Sequence, residues 1–274
     1  MTRNINKALF AATAAILACA SLHAQTVSFS LSMTHQSYVV GELIELTFQI
    51  KNLGVSPIII SDYEDFRDNR LDIEVVSQNR TKLAPLRQGR IIEELSLGKD
   101  ESQAFRIPLS DWFAMPEGHY QIRIRLYCNG LRYDSPLEVF DVVPGMELAR
   151  ASHFVSSRPA VERTLRLVYW AREGHEYAFL RADDRPSSGQ IRTMLLGDIM
   201  RVKKPSIERK PGDGGTFFIF RQVTRDTLSR TEIVSDATGI RVADVKRAVE
   251  SASSPMIDNL REAVERRAGN KKKK

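Results

Sequence analysis

The residues that could do chemistry are few and far apart. His23, His35, His119, His153 and His175 are the five histidines. No two have the spacing of a zinc-binding helix, and His175-Glu176 lacks the second histidine that would complete one. Cys19 and Cys128 form no metal-ligand pair. No Gly-x-Ser-x-Gly elbow, phosphate-binding loop or dinucleotide fingerprint occurs, and Gly212–Gly215 lies between extended segments and opens no helix. The sequence therefore nominates no catalytic residue, no metal site and no cofactor. It leaves open only a hydrolase whose groups meet from distant positions.

Three clusters remain for binding. Asp62, Glu64, Asp65 and Asp68 crowd one stretch, the oxygen-rich chemistry that holds calcium. Arg67 and Arg70 intervene and the turn glycine of a calcium loop is missing, so a solvated loop is expected. Trp112, Phe113 and Met115 are expected to cover a chain reversal rather than form a contact patch. Arg201, Lys203, Lys204, Arg209 and Lys210 surround Pro205 as a candidate anion-binding patch, with a solvated charged face as the plain alternative. Together with Lys271–Lys274 they suit anionic lipid or polyanionic glycan. Asn79-Arg80-Thr81 has the form of a glycosylation sequon.

The elements that must position these groups begin with an address. Arg3 and Lys7 precede the uncharged run Ala8–Ala18, whose 11 residues are too few for a spanning helix of roughly 20. Residues 1–24 read as a secretory signal peptide cleaved after Ala24, leaving Gln25 first. Ile16-Leu17-Ala18-Cys19 offers a second route, in which Cys19 is lipidated and the protein is anchored to a membrane. Export makes nucleic acid an unexpected partner. Without lipidation Cys128 is the only cysteine left, a small buried apolar residue in expectation.

Charge divides the remainder. Residues 25–150 carry 13 Lys and Arg against 18 Asp and Glu; residues 151–274 carry 25 against 16. The acidic front and basic back halves suggest two domains meeting near residue 150. The composition, 42% apolar and 27% charged, excludes a collagen, a wholly disordered chain and a multi-span membrane protein.

In the front half, Val27, Phe29, Leu31 and Met33 alternate with Ser28, Ser30 and Ser32, the period of a half-buried strand. Ile44, Leu46, Phe48 and Ile50 repeat it, as do Leu71, Ile73 and Val75. A helical turn is expected from Ser110, followed by a reversal at Pro116 and Gly118. Tyr120, Ile122, Ile124, Leu126 and Cys128 then form an inward row. The pattern Tyr38-x-x-Gly41-Glu42-x-Ile44-x-Leu46-x-Phe48-x-Ile50-x-Asn52, then Pro57-Ile58-Ile59-Ile60 and Pro116-x-Gly118-x-Tyr120, resembles bacterial secreted immunoglobulin-like β-sandwich modules over about 26–143. Proteinase inhibitors of the intracellular type share this rhythm. The resemblance implies a fold and transfers no functional residue.

In the back half, Leu165, Leu167 and Tyr169 alternate with Arg166, Val168 and Trp170, and Glu173-Gly174 turns the chain into His175–Ala182. Phe217-Phe218-Ile219-Phe220 is apolar on both faces and reads as a central strand. Arg241–Val249 fits helix or strand. Ser254-Pro255 followed by Ile257, Leu260 and Val264 reads as an amphipathic helix ending in a lysine tail.

The expected protein is mainly β: a signal peptide (1–24), an immunoglobulin-like sandwich (25–148), a linker (149–163), a small basic antiparallel β domain (164–252) and a C-terminal helix with its tail (253–274). Its expected role is non-catalytic binding or assembly at the cell envelope, periplasmic or secreted, with an envelope protein or glycan as partner. A proteinase-inhibitor-like module and a secreted hydrolase are the alternatives.

Overall fold

The computed structural model describes residues 26–157, 160–186 and 191–249. The signal segment with Cys19, Ala24 and Gln25, and the expected helix and tail over 253–274, lie outside these residues. Those described are mainly β: their helical structure is two 3-10 turns, Glu64–Phe66 and Leu109–Asp111. Among them no helix is long and apolar enough to cross a membrane.

The first strands in chain order are β1 (Val27–Met33), β2 (Ser37–Val39), β3 (Glu45–Asn52), β4 (Ile58–Ile60), β5 (Arg70–Ser77), β6 (Leu95–Leu97), β7 (Ser102–Pro108), β8 (Gly118–Cys128), β9 (Leu131–Asp134) and β10 (Glu138–Val143). There follow β11 (Met146–Ser157), β12 (Ala160–Arg172), β13 (His175–Arg185), β14 (Arg192–Asp198), β15 (Ser206–Arg209), β16 (Thr216–Thr224), β17 (Thr227–Asp236) and β18 (Gly239–Val249).

Two compact units emerge, and they interleave along the chain. Residues 26–34, Glu45–Phe113 and Tyr120–Val139 form the first; His35–Ile44, Ala114–His119 and residues 140–249 form the second. The segment around β2 thus belongs with the back half, although its sequence neighbours on both sides belong to the first unit.

In the first unit, β3 runs antiparallel between β1 and β7, with Phe29 opposite Ile50 and Leu31 opposite Phe48. β4 pairs with β6, and β8 pairs with β5 and β9. Period-2 alternation sends Leu46, Phe48, Ile50, Leu71, Ile73, Val75, Ile122, Ile124 and Leu126 inward, and all are buried. Phe48 stacks on Phe105 at 5.0 Å. Asn52 continues the apolar phase of β3 and is buried because its amide is used: Nδ2 donates to the carbonyls of Ser56 (2.9 Å) and Leu97 (3.1 Å). Trp112 and Phe113 are buried as expected, with Arg87 over the indole at 4.0 Å. The 3-10 turn before them starts at Leu109 with Pro108 at its N-cap, so Ser110 sits inside the turn rather than capping it.

The second unit departs most from expectation. Residues 149–157 and 160–163, expected as linker, are strand: they belong to β11 and β12, which pair with each other. The alternation was hidden because two register shifts, between Glu147 and Ala149 and between Phe154 and Ser156, break the period of β11. β11-β12-β13-β14 and β15-β16-β17-β18 are two antiparallel four-stranded sheets. They share one core: Leu165, Leu167, Ala178, Leu180 and Ile199 from the first, Ile207, Phe217, Ile219 and Ile233 from the second. β16 pairs on both sides; its Phe217 and Ile219 face the core, and on its other face Phe218 lies under Arg230 at 4.8 Å. Residues 241–249 are strand.

The other face of the β11–β14 sheet carries the segment His35–Ile44. Val39 packs on Val168 and Phe179. Trp170 Nε1 donates to Ser37 Oγ (3.1 Å), and Thr193 Oγ1 donates to the Val40 carbonyl (2.6 Å). Arg172, beside Tyr177 and Phe179, donates to Glu42 at 2.9 Å. Gly41 adopts φ +80°, and a Cβ there would stand 2.7 Å from Ile191 Cγ2.

Candidate functional site

Buried ionisable side chains gather at one end of the second unit's core. They do so because three inward rows end in polar residues. Arg163 is in phase with Leu165 and Leu167 on β12, His153 is in phase with Ala151 on β11, and Ser235 is in phase with Ile233 on β17. All three are buried. A charged side chain in the apolar phase of a strand must find partners inside.

Arg163 finds them completely. Its Nε and Nη2 hold Asp184 in a two-point pair at 2.6 and 2.9 Å. Its Nη1 donates to the carbonyls of Asp236 (2.8 Å) and Gly239 (2.9 Å) and to Ser235 Oγ (3.3 Å). The guanidinium therefore ties β12 to β13 and to the turn between β17 and β18 in the opposite sheet. The Arg163 hydrogen bonds hold the Asp184 carboxyl below its ordinary range.

His153 lies against Phe217 with ring centroids 4.7 Å apart and planes tilted by 54°, and among the described residues neither ring nitrogen has a hydrogen-bond partner. The Ser235 backbone lies near, without ordinary hydrogen-bond geometry. Burial first, then the nearby cations Arg163 and Arg209, push the imidazole down and keep it neutral.

A cleft of about 210 Å³ opens beside this cluster, lined by Asp184, Arg192 and the turn residues Thr238 and Gly239 among others. Arg192 is spent on the Thr238 carbonyl at 3.1 Å. The volume falls below the roughly 300 Å³ at which small-molecule sites begin. With Asp184 locked as a carboxylate and His153 only 4% exposed, the arrangement is suited to hold two sheets together rather than to move a proton at a substrate. A hollow of similar size in the first unit, lined by Val27, Asn52, Ile58, Cys128 and Tyr133 among others, has no charged lining residue.

The opposite end of the same core carries the reciprocal feature. Arg221 is in phase with Phe217 and Ile219 on β16. It donates to the β14 carbonyls of Leu196 and Asp198 (3.2 Å for the latter) and to Thr231 Oγ1 (2.9 Å). Among the described residues no carboxylate forms an ion pair with it, and burial pushes the guanidinium down to about 10.

The candidate anion patch is partly matched. Arg201 pairs with Glu176 at 3.2 Å and covers Tyr169 at 4.0 Å; Lys210 pairs with Glu232 at 3.0 Å. Arg209 donates to the Gly214 carbonyl at 2.7 Å, and the Lys203 N–H to Gln222 at 3.1 Å. Lys204 is exposed. In the acidic loop, Asp62 pairs with Arg90 at 3.0 Å. Among the described residues no three His, Cys, Asp or Glu side chains gather closely enough to hold a metal ion. Cys128 is buried, and that burial pushes its thiol up.

Arg163, Asp184, Arg192 and Arg221 escaped the sequence reading. The available signal was a charge in the apolar phase of a strand, at 163 and 221.

No protein-family model and no curated protein matches the chain. The chain is thus placed by its architecture alone, as a mainly-β protein of two interleaved units. Among solved structures it is similar to Spo0M, a sporulation control protein from Bacillus subtilis, at 11% identity and TM-score 0.30, over 82% of this chain and 91% of that one. At that identity and TM-score the likeness carries no functional argument.

Proposed function

We propose that this is an exported, non-catalytic binding or assembly component of the bacterial cell envelope. Its first unit serves as an immunoglobulin-like module, and its second as a basic two-sheet platform. One observation carries the reading: the buried charges gathered in the second unit are consumed by internal partners, Arg163 by Asp184 and turn carbonyls, Arg221 by β14 carbonyls. Groups spent in this way lend rigidity, and rigid β layers present surfaces for recognition. The signal-like segment 1–24 supports export, with release after Ala24 or retention through lipidated Cys19. The exposed Lys204 and the tail Lys271–Lys274 favour an anionic glycan or an acidic envelope protein as partner.

The test is in-cell cross-linking of the mature chain with identification of captured species, alongside a variant lacking Lys271–Lys274 and a high-salt wash. A reproducible envelope partner that survives both controls is the expected result. Capture only of polyanions, lost in salt, would reduce the interaction to general electrostatics. Hydrolase turnover abolished by a single substitution would overturn the reading.

A further inference from the structure

The registers of β16, β17 and β18 set Arg221, Ser229 and Arg247 side by side in one cross-strand row. Directly opposed residues share a face. Ser229 follows Thr231 and Ile233 in the inward phase of β17, so the whole row stands on the core face of the sheet. Adjacent strands lie about 4.8 Å apart, which puts the two arginine backbones about 10 Å from each other with only a serine between them. Two long cationic stems over a small floor residue frame a niche.

The niche is cationic and short of acceptors. Arg221 is 3% exposed and Arg247 is exposed, and among the described residues neither forms an ion pair. After burial, the Arg247 charge is the next cause that pushes the Arg221 guanidinium down, and the Asp198 carboxylate offsets it through space. The Ser229 hydroxyl is enclosed, at 1% exposure, and has no hydrogen-bond partner among the described residues. A buried hydroxyl without an acceptor and two guanidiniums without an ion pair call for one oxyanion. Two guanidiniums less the Asp198 carboxylate leave one positive charge, which a monoanion matches. The flanks of the row are apolar: Val245 and Val249 stand two residues either side of Arg247 on the same face, opposite Thr231 and Thr227, and Val242 continues the row opposite Ile233. All three valines are exposed. A carboxylate borne on an aliphatic chain covers them, whereas a bare inorganic ion leaves them wet.

We propose that the niche between Arg221 and Arg247 over Ser229 binds the carboxylate of an aliphatic acid whose chain lies along Val245 and Val242. Binding here requires neither export nor an envelope partner.

The test is isothermal titration of the full mature chain with decanoate below its micelle concentration, at constant ionic strength. One-site binding is expected, with acetate and uncharged decanol each at least tenfold weaker. Arg247→Gln should weaken decanoate at least tenfold, while Lys246→Gln, on the outer face of the same strand, leaves it unchanged. Melting curves check that both variants fold; Arg247 is exposed, so its replacement spares the core. Hydrogen exchange at β17 and β18 amides should slow when decanoate is bound. No binding, equal binding of acetate or decanol, or a loss in Arg247→Gln no larger than in Lys246→Gln would overturn the proposal.

Discussion

Arg163 and Arg221 staple the same core from opposite ends and in opposite directions. Arg163 leaves the β11–β14 sheet to donate to the carbonyls of Asp236 and Gly239, whereas Arg221 leaves the β15–β18 sheet to donate to those of Leu196 and Asp198. Of these two arginines, among the described residues only Arg163 has a carboxylate partner, Asp184. This difference sets the expected response to mutation.

Arg163→Met strands the Asp184 carboxylate in a largely buried position, a change that costs about 3–5 kcal/mol. Arg163→Met with Asp184→Leu removes both charges and should recover most of the loss. Urea unfolding followed by Trp170 fluorescence in a Trp112→Phe background measures both. Equal destabilisation by the single and double variants would refute the account.

His153 makes the second unit sensitive to acid. Its folded-state value lies below the ordinary 6.5 because it is buried and unpartnered among Arg163, Arg209, Asp184 and the Ser235 backbone. The unfolded chain therefore takes up the proton first as pH falls. The contribution to stability is full above pH 6.5 and is lost as pH falls below it towards the folded-state value. His153→Leu should flatten the stability profile between about pH 7 and 5, where an unperturbed histidine titrates. An unchanged slope in that variant would assign the pH response to another group.

The pair Arg172–Glu42 should matter far more than a surface bridge such as Lys82–Glu74. The first is 5% and 12% exposed at 2.9 Å, whereas Lys82 is 61% exposed at 3.8 Å from its partner. Glu42→Gln leaves Arg172 buried without a counter-charge and should destabilise the second unit by about 3–5 kcal/mol, against at most about 1 kcal/mol for Lys82→Ala. Because Trp170 donates to Ser37 in the same segment, its emission should shift to the red in Glu42→Gln before global unfolding.

Cys128 should resist thiol reagents in the folded protein and react freely in denaturant. It is 2% exposed and its thiolate is disfavoured by burial. Mass spectrometry after alkylation with and without urea gives the result directly; rapid native labelling would contradict the burial.

How much was readable beforehand can be judged strand by strand. Clean alternation announced β1, β3, β5 and β8, because in each one face is buried and the other wet. The two-sided apolar run Phe217–Phe220 announced a central strand by the opposite signal, an absence of alternation, since neither face of it is wet. β11 was missed because its bulges reset the period, so 149–163 looked like a linker. Arg163 and Arg221 were missed because a charge within an alternating row looks like a misfit until its partners are known.

Composition and periodicity by themselves determined that the described chain is mainly β, where many of its strands run and which side chains face inward, since these follow from local geometry and burial. The tertiary structure alone decided that β2 belongs with the back half, that β11–β14 and β15–β18 enclose one core, and that two arginines join its layers. Such relationships link residues as far apart as Glu42 and Arg172, or Arg163 and Gly239. Local pattern carries no information about partners at that separation; only the packed chain brings donor and acceptor together.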